Sequence, residues 1–267
     1  MAEKKERKVV EVASEAAEPA KKTATAARKK VTEDGKTVVE VAPSGSATGY
    51  RIGAILLWLA AIACEFLAIL TYFGKINITF IPTLAWLIGL IVIDVVCVII
   101  GAQLWKKSNK IDPASKANKV KFWLWNNLGL IMCVIALVPL IIILLAVDSK
   151  NKKIDKKTRI IAVVVACVAL LIGGVCAYDW NPISEEEKQA AEDAVKGDVY
   201  WTQYGKVYHT HEDCGSLNNS DTLYKGTVTD AIENGRTRIC SFCAKKDGTD
   251  TSGMLTDGNE EAAKESE

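Results

Sequence analysis

The sequence predicts an all-α membrane helical bundle of four spans, followed by a small α+β module, with disordered tails at both ends. Three observations carry this. Four apolar runs lie between residues 52 and 178, each long enough to cross a hydrocarbon core that needs roughly 20 helical residues. Charged residues make up 24% of the chain although mean hydropathy is slightly positive, so charge and apolar content are segregated along it. After the last run, histidines and cysteines recur in polar sequence among short β-type stretches. A net charge of +1 gives no global electrostatic case for nucleic acid.

Residues 1–50 are rich in Lys, Glu, Ala, Thr and Val, with few bulky apolar side chains. Such a stretch buries too little surface to offset the entropy of ordering, so a disordered tail is expected, with no secretory signal. The membrane domain, 51–180, holds spans at 52–73, 80–101, 122–147 and 160–178. In lipid every backbone amide needs a partner within its own segment, which forces helix. Aromatics mark several span ends: Tyr72, Phe73, Trp105, Phe122, Trp123, Trp125, Tyr178 and Trp180. The link after span two carries Lys106, Lys107, Lys110, Lys116, Lys119 and Lys121, and its Asp112-Pro113 suits a helix start. The link after span three carries Lys150, Lys152, Lys153, Lys156, Lys157 and Arg159. Four simple spans put these two basic links on opposite faces, in conflict with the positive-inside rule. A second solution makes segment three re-entrant, bent near Pro139 or lying partly in the interface through Phe122–Asn127. The favoured arrangement is a multi-pass protein of the cell membrane with both tails cytoplasmic.

Two ionisable residues, Glu65 and Asp94, lie within spans, where a central Asp costs roughly 2.5–3.5 kcal/mol on insertion scales. They are read either as working groups of an ion- or proton-coupled transporter or as carboxyls bonded to neighbouring helices. Span four presents Ala162, Ala166, Ala169, Gly173 and Ala177 on one face, a surface for close helix packing that allows an oligomer.

Residues 183–197 read as a helical spacer, capped by Ser184 with Glu187 three residues on. In 198–245, Val199–Thr202 and Lys206–His209 flank Tyr204-Gly205 as a hairpin, Thr227–Gly235 reads as a capped helix stopped by glycine, and Arg236–Ile239 leads into Cys240-Ser241-Phe242-Cys243. A Cys-x-x-Cys turn places two thiolates on one metal, and the remaining soft ligands outside the spans are Cys214 and one histidine, His209 or His211. The set is Cys3His, for which Zn2+ is the default metal, one per chain and structural, since four protein ligands leave no open position. From residue 246 a second disordered tail is expected.

The order Tyr208-His209, Cys214, Leu217, Ala231, Gly235, Cys240 and Cys243 resembles the small zinc-binding modules related to the metal-binding domain of the Ada DNA-repair protein, also appended to some bacterial nucleases. Residues 50–245 together resemble uncharacterised bacterial multi-span membrane proteins ending in such a module. The resemblance implies a fold and a metal, favours His209 over His211 as ligand, and brings no reaction with it. The leading expectation is a membrane-tethered binding or scaffold element whose zinc module engages an unknown protein partner. Nucleic acid is disfavoured, because Arg236, Arg238, Lys206 and Lys225 read as solvated surface. The alternatives are the transporter using Glu65 and Asp94, and a membrane-tethered thiol-disulfide protein using Cys240 and Cys243. No Ser/His/Asp set, P-loop or dinucleotide fingerprint is present, so an enzyme is not the expectation.

Overall fold

The computed structural model describes residues 28–31, 37–40, 45–76, 80–146 and 155–256. In chain order, strands β1 (Arg28–Val31) and β2 (Thr37–Glu40) precede helices α1 (Ala47–Tyr72), α2 (Thr83–Ile111), α3 (Lys119–Asn126), α4 (Leu128–Ala146) and α5 (Lys156–Ala177). Four of these, α1, α2, α4 and α5, are long and apolar enough to cross a membrane. The helix α2 packs against each of the other three, around Ala61, Leu87, Leu90, Cys133, Leu137 and Ala166. Small residues set the spacing: a Cβ added at Gly129 would lie 2.6 Å from that of Ala102, and one at Gly173 would lie 2.9 Å from Cys133 Sγ. Leu56, Phe66, Leu171 and Val175 point outwards, as on helices whose outer face meets lipid.

The small-residue face of the fourth span is used up inside the chain. Ala162, Ala166, Ala169, Gly173 and Ala177 are buried, and α5 packs on α2 and α4.

The third span is shorter than the apolar run from 122 to 147. It breaks at Asn127 into the short α3 and the spanning α4. Pro139 lies inside α4 without turning it back. Proline removes its own amide bond and its ring crowds the preceding turn. The amide of Leu140, one residue on, donates to Glu65 Oε1 of α1 at 3.0 Å, so a neighbouring helix repairs the break. The helix α4 thus runs on through Pro139 as one continuous segment, long and apolar enough to cross a membrane.

The two ends of the bundle differ. At one end Arg51 at the start of α1 donates to Asp112 beyond α2 at 2.8 Å, Trp105 Nε1 donates to the Trp125 carbonyl at 2.8 Å, and Lys106 Nζ donates to the Cys176 carbonyl at 2.7 Å. At the other end Arg159 Nη2 donates to the Leu145 carbonyl at 2.7 Å, satisfying the last turn of α4. Lys106 and Lys110 thus sit at the opposite end of the bundle from Lys156, Lys157 and Arg159. Asp112-Pro113 opens no helix: Asp112 closes α2, and α3 begins only after Asn118, whose side chain accepts from Lys121 N.

The module follows on the Arg51 end. It comprises α6 (Glu185–Ala194), β3 (Val199–Trp201), β4 (Val207–Tyr208), a 3₁₀ turn (Gly215–Leu217), β5 (Thr222–Gly226), α7 (Val228–Glu233), β6 (Arg238–Ile239) and α8 (Ser241–Asp247). Ile183, Ala191, Val195, Val199, Trp201, Ile232, Ile239 and Met254 share one core. Three expectations change here. First, α6 is part of the module rather than a spacer, because Ala191 and Val195 fill its core. Second, the ordered module continues past 245: Met254 is buried and Thr256 bridges Ile239. Third, within residues 1–50 two strands are present: β2 pairs parallel to β5, and β1 pairs antiparallel to β2, giving a sheet ordered β1-β2-β5-β3. The rest of both expected tails, 1–27, 32–36, 41–44 and 257–267, lies outside the described residues.

Polar contacts seat the module on the bundle. Lys188 Nζ donates to the Ile111 carbonyl at 2.7 Å and so caps α2. Glu186 accepts from Lys116 N at 3.0 Å and from the Ser115 hydroxyl, and Asn181 Nδ2 donates to Thr237 Oγ1 at 2.7 Å.

Candidate metal centre

Two strand ends and two helix starts converge on one point. β4 ends at Tyr208, and the next residue, His209, forms an antiparallel bridge with Tyr200, with backbone bonds of 2.7 and 2.8 Å in the two directions. β4 runs parallel to β6, and Cys240 N donates to the Tyr208 carbonyl at 2.9 Å. Cys240 then caps α8, which carries Cys243 in its first turn, and Cys214 caps the 3₁₀ turn. The expected hairpin is therefore reduced to that single bridge: β3 joins β5 in one sheet, while β4 joins β6 in another.

The ligand atoms of His209, Cys214, Cys240 and Cys243 all lie within 4.8 Å of one another. Cys243 Sγ is 3.8 Å from His209 Nδ1. A tetrahedron with metal–sulfur bonds of about 2.3 Å has edges of roughly 3.8 Å, so three thiols and one imidazole at these separations fit a single ion. All eight cysteines are free thiols, and Cys240 and Cys243 are both buried. Burial of both fits metal ligation better than thiol–disulfide exchange, which needs an accessible thiol.

The surroundings supply donors to sulfur. Burial raises the Cys214 thiol, but hydrogen bonds from the Ser216 amide, Cys243, the Ser216 hydroxyl and Cys240 outweigh it, and its pKa falls below the ordinary cysteine value. Burial pushes Cys243 the other way, against amide donation from His211 and Thr210. Donors to sulfur thus gather on Cys214, while Cys243 is held mainly by its burial. Cys214 is half-buried and borders a concavity lined by Gly215, Ser216 and Phe242.

The structure brings His209, not His211, to the three cysteines. His211 turns outwards, with Nε2 2.5 Å from Asp247 Oδ1. Asp247 also accepts from Thr210 Oγ1 at 2.5 Å, and these bonds, Thr210 first, hold its carboxyl below the usual range. The Asp247 contacts tie the 209–214 loop to α8. No sequence pattern pointed to this brace, since a lone aspartate past a Cys-x-x-Cys carries no signal.

Two of the module's cations are engaged in structure. Arg236 donates to the Thr202 carbonyl at 2.8 Å, and Lys225 pairs with Asp198 at 2.8 Å. In the membrane, Glu65 is occupied with Leu140 N, as described. Asp94 of α2 is buried, and neither carboxylate oxygen has a hydrogen-bond partner among the described residues. Glu65 lies within electrostatic reach of it. A proline inside a span frees backbone groups that need partners, but the sequence does not say which neighbour supplies them. Compared with models of known families, with curated proteins and with solved structures, the chain matches none.

Proposed function

We propose that this is a multi-pass membrane protein that displays a zinc-stabilised binding module on the cytoplasmic face, where it engages a protein partner. The observation that supports this is the convergence of His209, Cys214, Cys240 and Cys243 within 4.8 Å, on elements whose own core is small. Zinc bound there supplies folding free energy to a domain too small to be stable on its apolar core alone. The cytoplasmic assignment rests on Arg51, Lys106, Lys107, Lys110, Lys116, Lys119 and Lys121 gathering at the module's end.

The test is metal content of the purified full chain. The wild type and His211→Ala hold about one zinc per chain, while His209→Ala and Cys243→Ser hold far less. Chelation melts the module's circular dichroism and leaves the bundle's helix signal. A metal-free wild type with an unchanged module would sink the proposal. Impermeant thiol labelling tests the side: Cys214 reacting in chelated intact cells would place the module outside.

A second reading is favoured by Asp94 alone. A buried membrane carboxyl without a partner is a default functional-site hypothesis. If it works in proton- or cation-coupled transport, Asp94→Asn abolishes ion-dependent flux in proteoliposomes while zinc content is unchanged. Ion flux equal to the wild type would retire it.

A further inference from the structure

The short helix α3 is anchored on one side and bare on the other. Its inner side packs on the end of α2. The Trp125 ring meets the Trp105 ring edge-on at 5.2 Å, and Asn126 Oδ1 accepts from Asn109 Nδ2 at 3.3 Å. Its outer side exposes Val120 (68%), Trp123 (47%) and Leu124 (44%), three apolar side chains at the i, i+3, i+4 spacing of a single helical stripe. Lys119 and Lys121 are exposed. At about 100° per residue they fall on the two opposite flanks of that stripe. Neither pairs with a carboxylate among the described residues.

Position decides what covers this face. The spanning helix α4 starts at Leu128, two residues after α3 ends. The stripe therefore lies at the bilayer boundary, at the same end as the exposed Trp180. An apolar stripe flanked by lysines is the pattern of a helix lying in the plane of the interface, with acyl chains under the stripe and anionic headgroups at its edges. A protein partner would have to reach the stripe through the headgroup layer, whereas lipid is already there.

We infer that α3 is an in-plane docking surface for anionic phospholipid, with Val120, Trp123 and Leu124 seated in the acyl boundary and Lys119 and Lys121 on the headgroups. This goes beyond the module's proposed role and does not depend on its metal.

The full-length protein tests it in two ways. Phosphatidylglycerol and phosphatidylcholine are titrated separately into the detergent-solubilised chain, and bound lipid is followed by native mass spectrometry. The wild type prefers phosphatidylglycerol, and Lys119→Gln with Lys121→Gln lowers that preference by about five-fold for each lysine removed. Zinc content and the thermal transition stay at wild-type values. An unchanged preference in the double variant overturns the inference. Independently, the wild type and Trp123→Phe are placed in bilayers carrying brominated acyl chains. The fluorescence difference between them isolates Trp123, and bromines near the headgroup quench it most. A Trp123 signal that no brominated lipid quenches puts the stripe in water, open to a protein or a second copy, and also overturns the inference.

Discussion

At the scale of single residues, Glu65 and Pro139 form one unit. The proline costs α4 a backbone bond, and the carboxyl from α1 accepts from the amide next to the break at 3.0 Å. Polar contacts between membrane helices couple by about 0.6 kcal/mol on average and up to about 1.7. Glu65→Leu is expected to destabilise the bundle by an amount in that range. In a Pro139→Ala background, where the helix can satisfy its own amides, the same substitution should cost little. A double-mutant cycle on unfolding in detergent measures the coupling, and additive effects would show that the contact carries nothing. The charge in span one was visible in the sequence, and so was the proline in span three. Their pairing was not, because helix rotation and depth arise from packing of all four spans rather than from either segment.

At the scale of elements, the parallel pairing of β2 with β5 ties a segment ahead of the first span to the module after the last. Removing residues 1–40 unpairs one edge of β5. The amides of Thr222–Lys225 that face β2 should then exchange with solvent faster, by hydrogen-exchange mass spectrometry, while those facing β3 keep their protection. Equal exchange in both proteins would remove β2 from the sheet. This strand was illegible in the sequence. Thr37-Val38-Val39-Glu40 is only four residues long, too short a run for its two valines to set a period that separates a strand from a polar tail. Elements with their own chemistry were legible: Ser184 and Glu187 form the capping box of α6, and Gly235, at φ +91°, ends α7 beyond Asn234. The candidate ligand cluster was legible for the same reason, since few residue types can be ligands and their spacing is constrained. The choice between His209 and His211 was open on spacing alone; in the fold the Tyr200 bridge fixes the backbone of His209 beside the three cysteines.

At the scale of the molecule, bundle and module keep separate apolar cores and meet through polar groups. Glu186 is central to that seat. The Ser115 hydroxyl, then the Lys116 amide, lower its carboxyl from the ordinary 4.5 to about 2. A depressed carboxyl adds stability that is present in full above its unfolded value and is lost as pH falls through the folded one. Docking should therefore weaken between about pH 4.5 and 2. Glu186→Gln should flatten that dependence, read as the pH at which crosslinks between Ala114→Cys and a cysteine placed in α6 cease to form. A wild type and variant with the same acid profile would assign the seat to other contacts.

The length of α2 has its own consequence. Its 29 residues span about 44 Å, against a hydrocarbon core of about 30 Å, so roughly nine residues stand clear of the lipid. That projecting stub is a spindle, and Lys188 grips its tip. One residue inserted between Trp105 and Lys110 would advance the tip by about 1.5 Å and rotate it by about 100°, sliding the carbonyls of Lys110 and Ile111 out from under the Lys188 ammonium. Seven residues inserted together would nearly restore the angle and leave only the height wrong. The orientation of the module above the membrane is thus set by phase along one helix, much as a cam is timed by its shaft.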